Sequence, residues 1–279
     1  MKRKFINIAA VILLAAFVFS GCRSSVLTLS ADVLLEEGYF ERLNEKDLAL
    51  GDELKKEIKD KKFKFDSPPR VLIYHTHATE AYRMEGDYVY EPTEDSRTDD
   101  NTKNVVYAGE MLKKELEKRG FTVIHDTTNV EPPEFMSAYS RSLEVMESYK
   151  DIDIYIDLHR NAADVEKAKN DVVMIDRKRC ARMFFVVGTA IGTYEGEYDK
   201  MPDWANNYAF ASSVTNELND IHPDLATDVR VKVGRHNQHV GLCLLAEVGH
   251  NANTLSDVIN TLPHFADALK SVCEFKESK

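Results

Sequence analysis

From Val71 onward, short apolar runs alternate with segments of helical periodicity, and this alternation leaves few folds open. Val71-Leu72-Ile73-Tyr74 reads as a buried strand. Val105, Ala108, Leu112 and Leu116 then recur at helical spacing, and Gly120 stops the helix. Phe121–Ile124 is the next strand, and Pro132-Pro133 opens a helix with Tyr139, Leu143, Met146 and Tyr149 on one face. Ile152–Leu158, Phe184–Gly188 and Leu242–Val248 are further strands, and helices are predicted over Trp204–Leu218 and Leu255–Phe275. Strands that alternate with helices specify an α/β sandwich around a mostly parallel sheet.

The apolar runs finish in unusual residues. The first leads into His75-Thr76-His77-Ala78-Thr79-Glu80, the third ends in Asp157-Leu158-His159-Arg160-Asn161, and the late one ends in Glu247-Val248-Gly249-His250-Asn251. In open α/β sheets, sites form beyond the carboxyl ends of the strands. His77 and Glu80 form an H-x-x-E pair, a spacing that can bring both side chains to one face. With His159 they make a His₂Glu set, the catalytic zinc pattern in which three protein ligands leave one position for water. Asp100, in the acidic loop Arg97–Asp100, is a rival for the carboxylate ligand. Glu247 would serve as general base, since an unpartnered glutamate ending an apolar strand is costly unless it serves a site. His75 reads as a packing histidine or one supporting a ligand, with a ligand itself as the alternative. Arg160 and Arg235 are candidates for binding substrate carboxylates, and Asn161 and Asn251 could support ligands or substrate. His236 and His239 lie near enough to the late strand to line the cleft.

At the N-terminus, Lys2, Arg3 and Lys4 precede an apolar run, Phe5–Phe19, and then Ser20-Gly21-Cys22. This pattern predicts an export signal over residues 1–21, with Cys22 lipidated after a lipobox; an uncleaved signal anchor is the alternative. Either places the chain outside the cytoplasm, tethered to the membrane, and two acyl chains anchor stably where one would not. Residues 22–67 read as a charged spacer, ended by Ser67-Pro68-Pro69, with the folded domain at 68–279. Cys180, Cys243 and Cys273 lack metal-type spacing and read as buried free thiols. A formal net charge of −11, without a long basic run, excludes nucleic acid as a partner.

The stretches VLIYHTHATEAYR (71–83), NVVYAGEMLKKELEKRGFTVIHDTT (104–128), SAYSRS (137–142), DLHRNAA (157–163) and HNQHVGLCLLAEVGHNANT (236–254) resemble the stage II sporulation protein P family of peptidoglycan hydrolases. The resemblance implies a zinc-dependent N-acetylmuramoyl-L-alanine amidase on a carboxypeptidase-like three-layer α/β/α fold. It also implies possible action on peptide cross-links and a lytic transglycosylase partner during engulfment of the forespore. By the same resemblance His77 and His159 match metal histidines, Glu247 the late-strand catalytic glutamate, and Glu80 the acid of the HTHxTE motif. Asn161 stands where the family usually carries aspartate. Two other readings stay open at this point: a wall-binding lipoprotein on a degenerate hydrolase domain, and a zinc peptidase acting only on stem peptides.

Overall fold

The computed structural model describes residues 61–276, apart from 95, 135–136, 169, 189–203, 233–235 and 239. The predicted signal sequence, Cys22, nearly all of the spacer, Arg235 and His239 lie outside the described residues. In chain order the elements are β1 (Phe63–Lys64), β2 (Arg70–Tyr74), α1 (Val105–Glu117), β3 (Thr122–His125), α2 (Ala138–Ser148), β4 (Ile154–Asn161), α3 (Val165–Ala168), β5 (Val172–Ile175), β6 (Lys178–Ala181), β7 (Met183–Gly188), α4 (Trp204–Ile221), β8 (Arg230–Lys232), β9 (Leu242–His250), α5 (Leu255–Val272) and β10 (Cys273–Glu274). The central sheet has six strands in the order β3-β2-β4-β9-β7-β8. It is mostly parallel, as the alternation predicts; β7 runs antiparallel to β9, and β8 follows β7.

Alternation along β2 divides the core. Val71 and Ile73 point into the larger apolar cluster, with Leu112 and Leu116 of α1, Phe210 and Val214 of α4, and Phe265 and Leu269 of α5. Leu72 and Tyr74 point the other way, into a smaller cluster with Met146 of α2 and with Tyr155 and Cys243. Burying each such aliphatic side chain stabilises the fold by about 1.5–3 kcal/mol, so both faces of β2 are held from opposite sides. Cys180, Cys243 and Cys273 are buried free thiols.

Three sequence expectations shift. The buried side of α2 is Ala138, Ser142 and Met146 rather than the face carrying Tyr139 and Leu143, which frees Tyr139 to face the strand ends. The last predicted helix stops at Val272, where Cys273 takes extended backbone and β10 pairs in parallel with β1. That pairing carries the folded domain into the predicted spacer. Phe63 and Phe65 pack against the core, and the rings of Phe63 and Phe210 meet edge-on with centroids 4.8 Å apart.

Candidate active site

β4 and β9 do not end before their polar residues but run through them. Parallel pairing continues from Ile154↔Leu242 to His159↔Glu247 before the register breaks at Asn161↔His250. Cross-strand neighbours in register stand on the same face of a sheet. The pairing therefore sets the Glu247 carboxylate beside the His159 imidazole, above the β2 loop that carries His77 and Glu80.

His159 is held between two carboxylates. Its Nε2 lies 2.9 Å from Asp157 Oδ1 and its Nδ1 3.4 Å from Glu80 Oε2. Burial alone would lower its pKa, but the charges and hydrogen bonds of Asp157 and Glu80 raise it well above the usual histidine value. Asp157, two residues earlier on the same face of β4, accepts from the Thr76 amide at 2.9 Å and from Thr76 Oγ1 at 2.6 Å. Glu80 Oε2 accepts from the Arg160 amide at 3.0 Å, and Oε1 lies 3.6 Å from Arg97 Nη2. Burial works against ionisation of Glu80, yet His159, Arg160 and His77 bring it down to about 2.

His77 stands across from His159, with ring centroids 5.3 Å apart, and its Nδ1 lies 3.4 Å from Glu131 Oε1. Arg97 Nη1 donates to the same Glu131 oxygen at 2.7 Å. Glu247 differs from these acids. Its Oε2 is buried and has no hydrogen-bond partner among the described residues. Burial, reinforced by the charges of Glu80 and Asp157 against those of His159 and Arg160, pushes it up to about 7.

The structure thus brings His77, Glu80, His159 and Glu247 together, with His236 next to them across Tyr139, and gives Asp100, Arg160, Asn161, Asn251 and His75 other partners. Asp100 accepts from the amide and hydroxyl of Thr102 in an exposed turn, at 2.9 and 2.7 Å. The Arg160 guanidinium is turned onto the carbonyls of Ala81, Asn161 and Ser96, so it ties loops together. Asn251 Oδ1 caps the Ala163 amide at 2.7 Å, and Asn161 closes β4 opposite His250. His75 is a packing histidine: Nδ1 meets the Leu158 carbonyl and Nε2 meets His125 Nε2, each at 2.9 Å. Sequence reasoning missed Asp157, Glu131, Arg97 and Tyr139. Asp157 alone left a signal, an acid two residues before His159 in an apolar strand.

Two imidazoles and a carboxylate are a donor set suited to zinc. Each histidine also has a carboxylate on its far nitrogen, Asp157 for His159 and Glu131 for His77, the usual support of a metal-ligating histidine. Among the described residues no group of three acids, histidines or cysteines already stands in coordinating geometry. The chemistry of the donors fits zinc, and His159 stands between Asp157 and Glu80.

An α/β domain with a buried histidine–carboxylate centre at the carboxyl ends of its parallel strands is the class that the fold and site define. Residues 32–270 match the stage II sporulation protein P (SpoIIP) family, and the chain belongs to that family. Over 220 residues it is 28% identical to stage II sporulation protein P of Bacillus subtilis (strain 168), covering 72% of this chain and 50% of that protein. The chain thus spans about half the length of the curated relative it matches. Among solved structures it is similar to the CwlD amidase from Clostridioides difficile in complex with the GerS lipoprotein, at 12% identity and TM-score 0.43, covering 72% of this chain and 94% of that one. It is also similar to the N-acetylmuramyl-L-alanine amidase Ami1 from Mycobacterium abscessus, at 9% identity and TM-score 0.42, covering 74% and 96%.

Proposed function

We propose that this chain is a zinc-dependent N-acetylmuramoyl-L-alanine amidase acting on peptidoglycan in sporulation, on a three-layer α/β/α domain. The observation that carries the reading is the different setting of two carboxylates at one centre. Glu80 is fixed by the Arg160 amide and stands against His159 and Arg97, while Glu247 Oε2 is buried with no hydrogen-bond partner among the described residues, which pushes its pKa up. Carboxylates driven apart in this way take different roles, one as a fixed anion and one as an acid–base group.

His77, Glu80 and His159 would hold the metal, with Asp157 and Glu131 fixing the orientation of the imidazoles. Zinc held by these three residues would supply a bound water of pKa about 7 and a Lewis acid for the amide carbonyl. Glu247 accepts the proton of the attacking water at Oε2 and returns it to the leaving nitrogen of L-alanine as the C–N bond breaks. A group poised near neutral pH suits both halves of that transfer.

The proposal extends to a lipid on Cys22, an extracytoplasmic position at the membrane, cleavage of peptide cross-links and a lytic transglycosylase partner. Cys22→Ala should abolish lipid labelling and leave the precursor unprocessed; normal processing would remove the tether. For the chemistry, purified protein should hold about one zinc per chain. His77→Ala and His159→Ala should each lose most of it, and full retention in both would reject the ligand set. Glu247→Gln should keep the metal and lower amide hydrolysis by about 10²–10⁴-fold. Mass spectrometry of the digest should show free glycan and intact stem peptide.

A further inference from the structure

Between β8 and β9, His236 and Asn237 both adopt left-handed backbone, with φ of 48° and 54°. Histidine and asparagine are among the residues that take up this conformation, and it is held where their partners fix it. Here buried amides do so. Asn237 Nδ2 donates to the Tyr139 carbonyl and to Ser142 Oγ, each at 2.7 Å. Gln238 Oε1 accepts from the Gly188 amide and Nε2 donates to the Val186 carbonyl, each at 2.8 Å. Asn207 Nδ2 donates to the Gln238 carbonyl at 2.9 Å. Ser142 Oγ in turn lies 2.9 Å from Thr76 Oγ1, which donates to Asp157, the acid that holds His159. The loop bearing His236 is therefore tied to the centre by a continuous buried network.

The clamp aims the imidazole. His236 Nδ1 lies 3.1 Å from the Tyr139 hydroxyl. Ring centroids run from His236 to Tyr139 at 5.3 Å, from Tyr139 to His77 at 5.7 Å, and from His77 to His159 at 5.3 Å. His236 Nε2 is buried and has no hydrogen-bond partner among the described residues. His75, by contrast, satisfies both ring nitrogens within the core. A pinned histidine with one nitrogen left over beside the candidate centre is placed to meet a ligand atom.

We infer that His236 is a catalytic residue that donates Nε2–H to the carbonyl oxygen of the scissile amide, with Tyr139 as a positioning residue. This deepens the amidase reading and rests on it. Tyr139, donating its hydroxyl proton to Nδ1, keeps the imidazole proton on Nε2. As water oxygen bonds to the carbonyl carbon, negative charge gathers on the carbonyl oxygen, and the hydrogen bond it accepts from Nε2–H shortens. When the C–N bond breaks, the carbonyl reforms and the hydrogen bond relaxes. His236 keeps its proton throughout, and the proton that reaches the amine travels by Glu247.

The test uses the full chain and N-acetylmuramoyl-L-alanyl-D-isoglutamine as substrate, with zinc content and thermal stability measured on every variant. Removing one preorganised oxyanion donor costs about 10²–10³ in kcat. His236→Ala should show that loss with KM little changed and zinc retained. His236→Gln, whose amide can still donate, should recover part of it. Tyr139→Phe should lower kcat less, and should have no further effect in the His236→Ala background, as expected of residues acting through one another. Unchanged kcat in His236→Ala, or a folded His236→Ala that has lost its zinc, would overturn the assignment. Should His236→Ala fail to fold, unchanged kcat in both His236→Gln and Tyr139→Phe would overturn it. A wild-type protein that binds zinc but leaves the amide intact would instead reject the amidase reading itself.

Discussion

Asp157 does more in this site than its position in an apolar strand announces. It anchors the Thr76 amide and hydroxyl and takes one nitrogen of His159, so it orients the imidazole and sets its basicity together. Asp157→Asn keeps the volume but removes the charge. On the proposed zinc reading, loss of a carboxylate behind a ligating histidine weakens metal binding by about 10–100-fold, and zinc competition with a chromophoric chelator should show a loss of that size. His75 supports a different prediction. Burial, with the His125 ring beside it, lowers its pKa to about 3, so the folded state refuses a proton that the unfolded chain accepts near 6.5. As pH falls below 6.5 the unfolded state binds more protons, and stability is lost progressively down to about 3. In metal-free protein the wild type should therefore lose stability more steeply than His75→Gln between pH 6 and 4. The difference should approach about 1.4 kcal/mol per pH unit, read from urea midpoints at each pH. Parallel slopes would show that His75 titrates with the solvent.

At the scale of the element, α1 sits on the sheet through a point of close contact. The helix begins at Asn104, whose side chain accepts from the Val106 amide, and its buried stripe includes Gly109. A Cβ on Gly109 would lie 2.5 Å from His125 Nε2 and 2.7 Å from His75 Nε2. Those rings are bonded to one another and to the Leu158 carbonyl, so they cannot swing aside. Replacing glycine by alanine inside a helix normally gains about 1 kcal/mol. Overpacking a rigid core costs about 1–3 kcal/mol, and here the clash is with two rings at once. Gly109→Ala should therefore destabilise the protein in chemical denaturation, and a neutral or stabilising result would mean that the helix can lift.

At the scale of the whole molecule, the ends of the folded domain are joined. Phe63↔Cys273 and Lys64↔Glu274 pair in parallel, and Phe65 N donates to the Glu274 carbonyl at 2.9 Å. A chain beginning at Pro68, the boundary that composition suggests, would lose this ladder and the packing of Phe63 on Phe210. Removing one well-packed aromatic side chain from its contacts costs on the order of 1.5–3 kcal/mol. The shortened chain should melt several degrees below one that starts at Lys61, a shift measurable by calorimetry. Equal melting temperatures would show β1 to be dispensable.

The identity and order of the main elements were legible in the sequence because hydrophobic periodicity is a local property. Val71–Tyr74, the stripe of α1 and the apolar run into Glu247 each declare themselves within about a dozen residues. His77, Glu80, His159 and Glu247 stood out as candidates for a related reason, since polar side chains in or just after apolar strands have little packing purpose, and the structure brings the four together. Tertiary structure decided what those residues meet. The His159↔Glu247 register joins strands far apart in the chain, and no local pattern specifies it. The antiparallel course of β7, the turning of Arg160 onto backbone carbonyls and the pinning of His236 against Tyr139 likewise depend on partners from other elements. Charge and chemistry are carried by the residue, but a buried polar group must find its partner wherever the fold supplies one, and that choice belongs to the folded molecule.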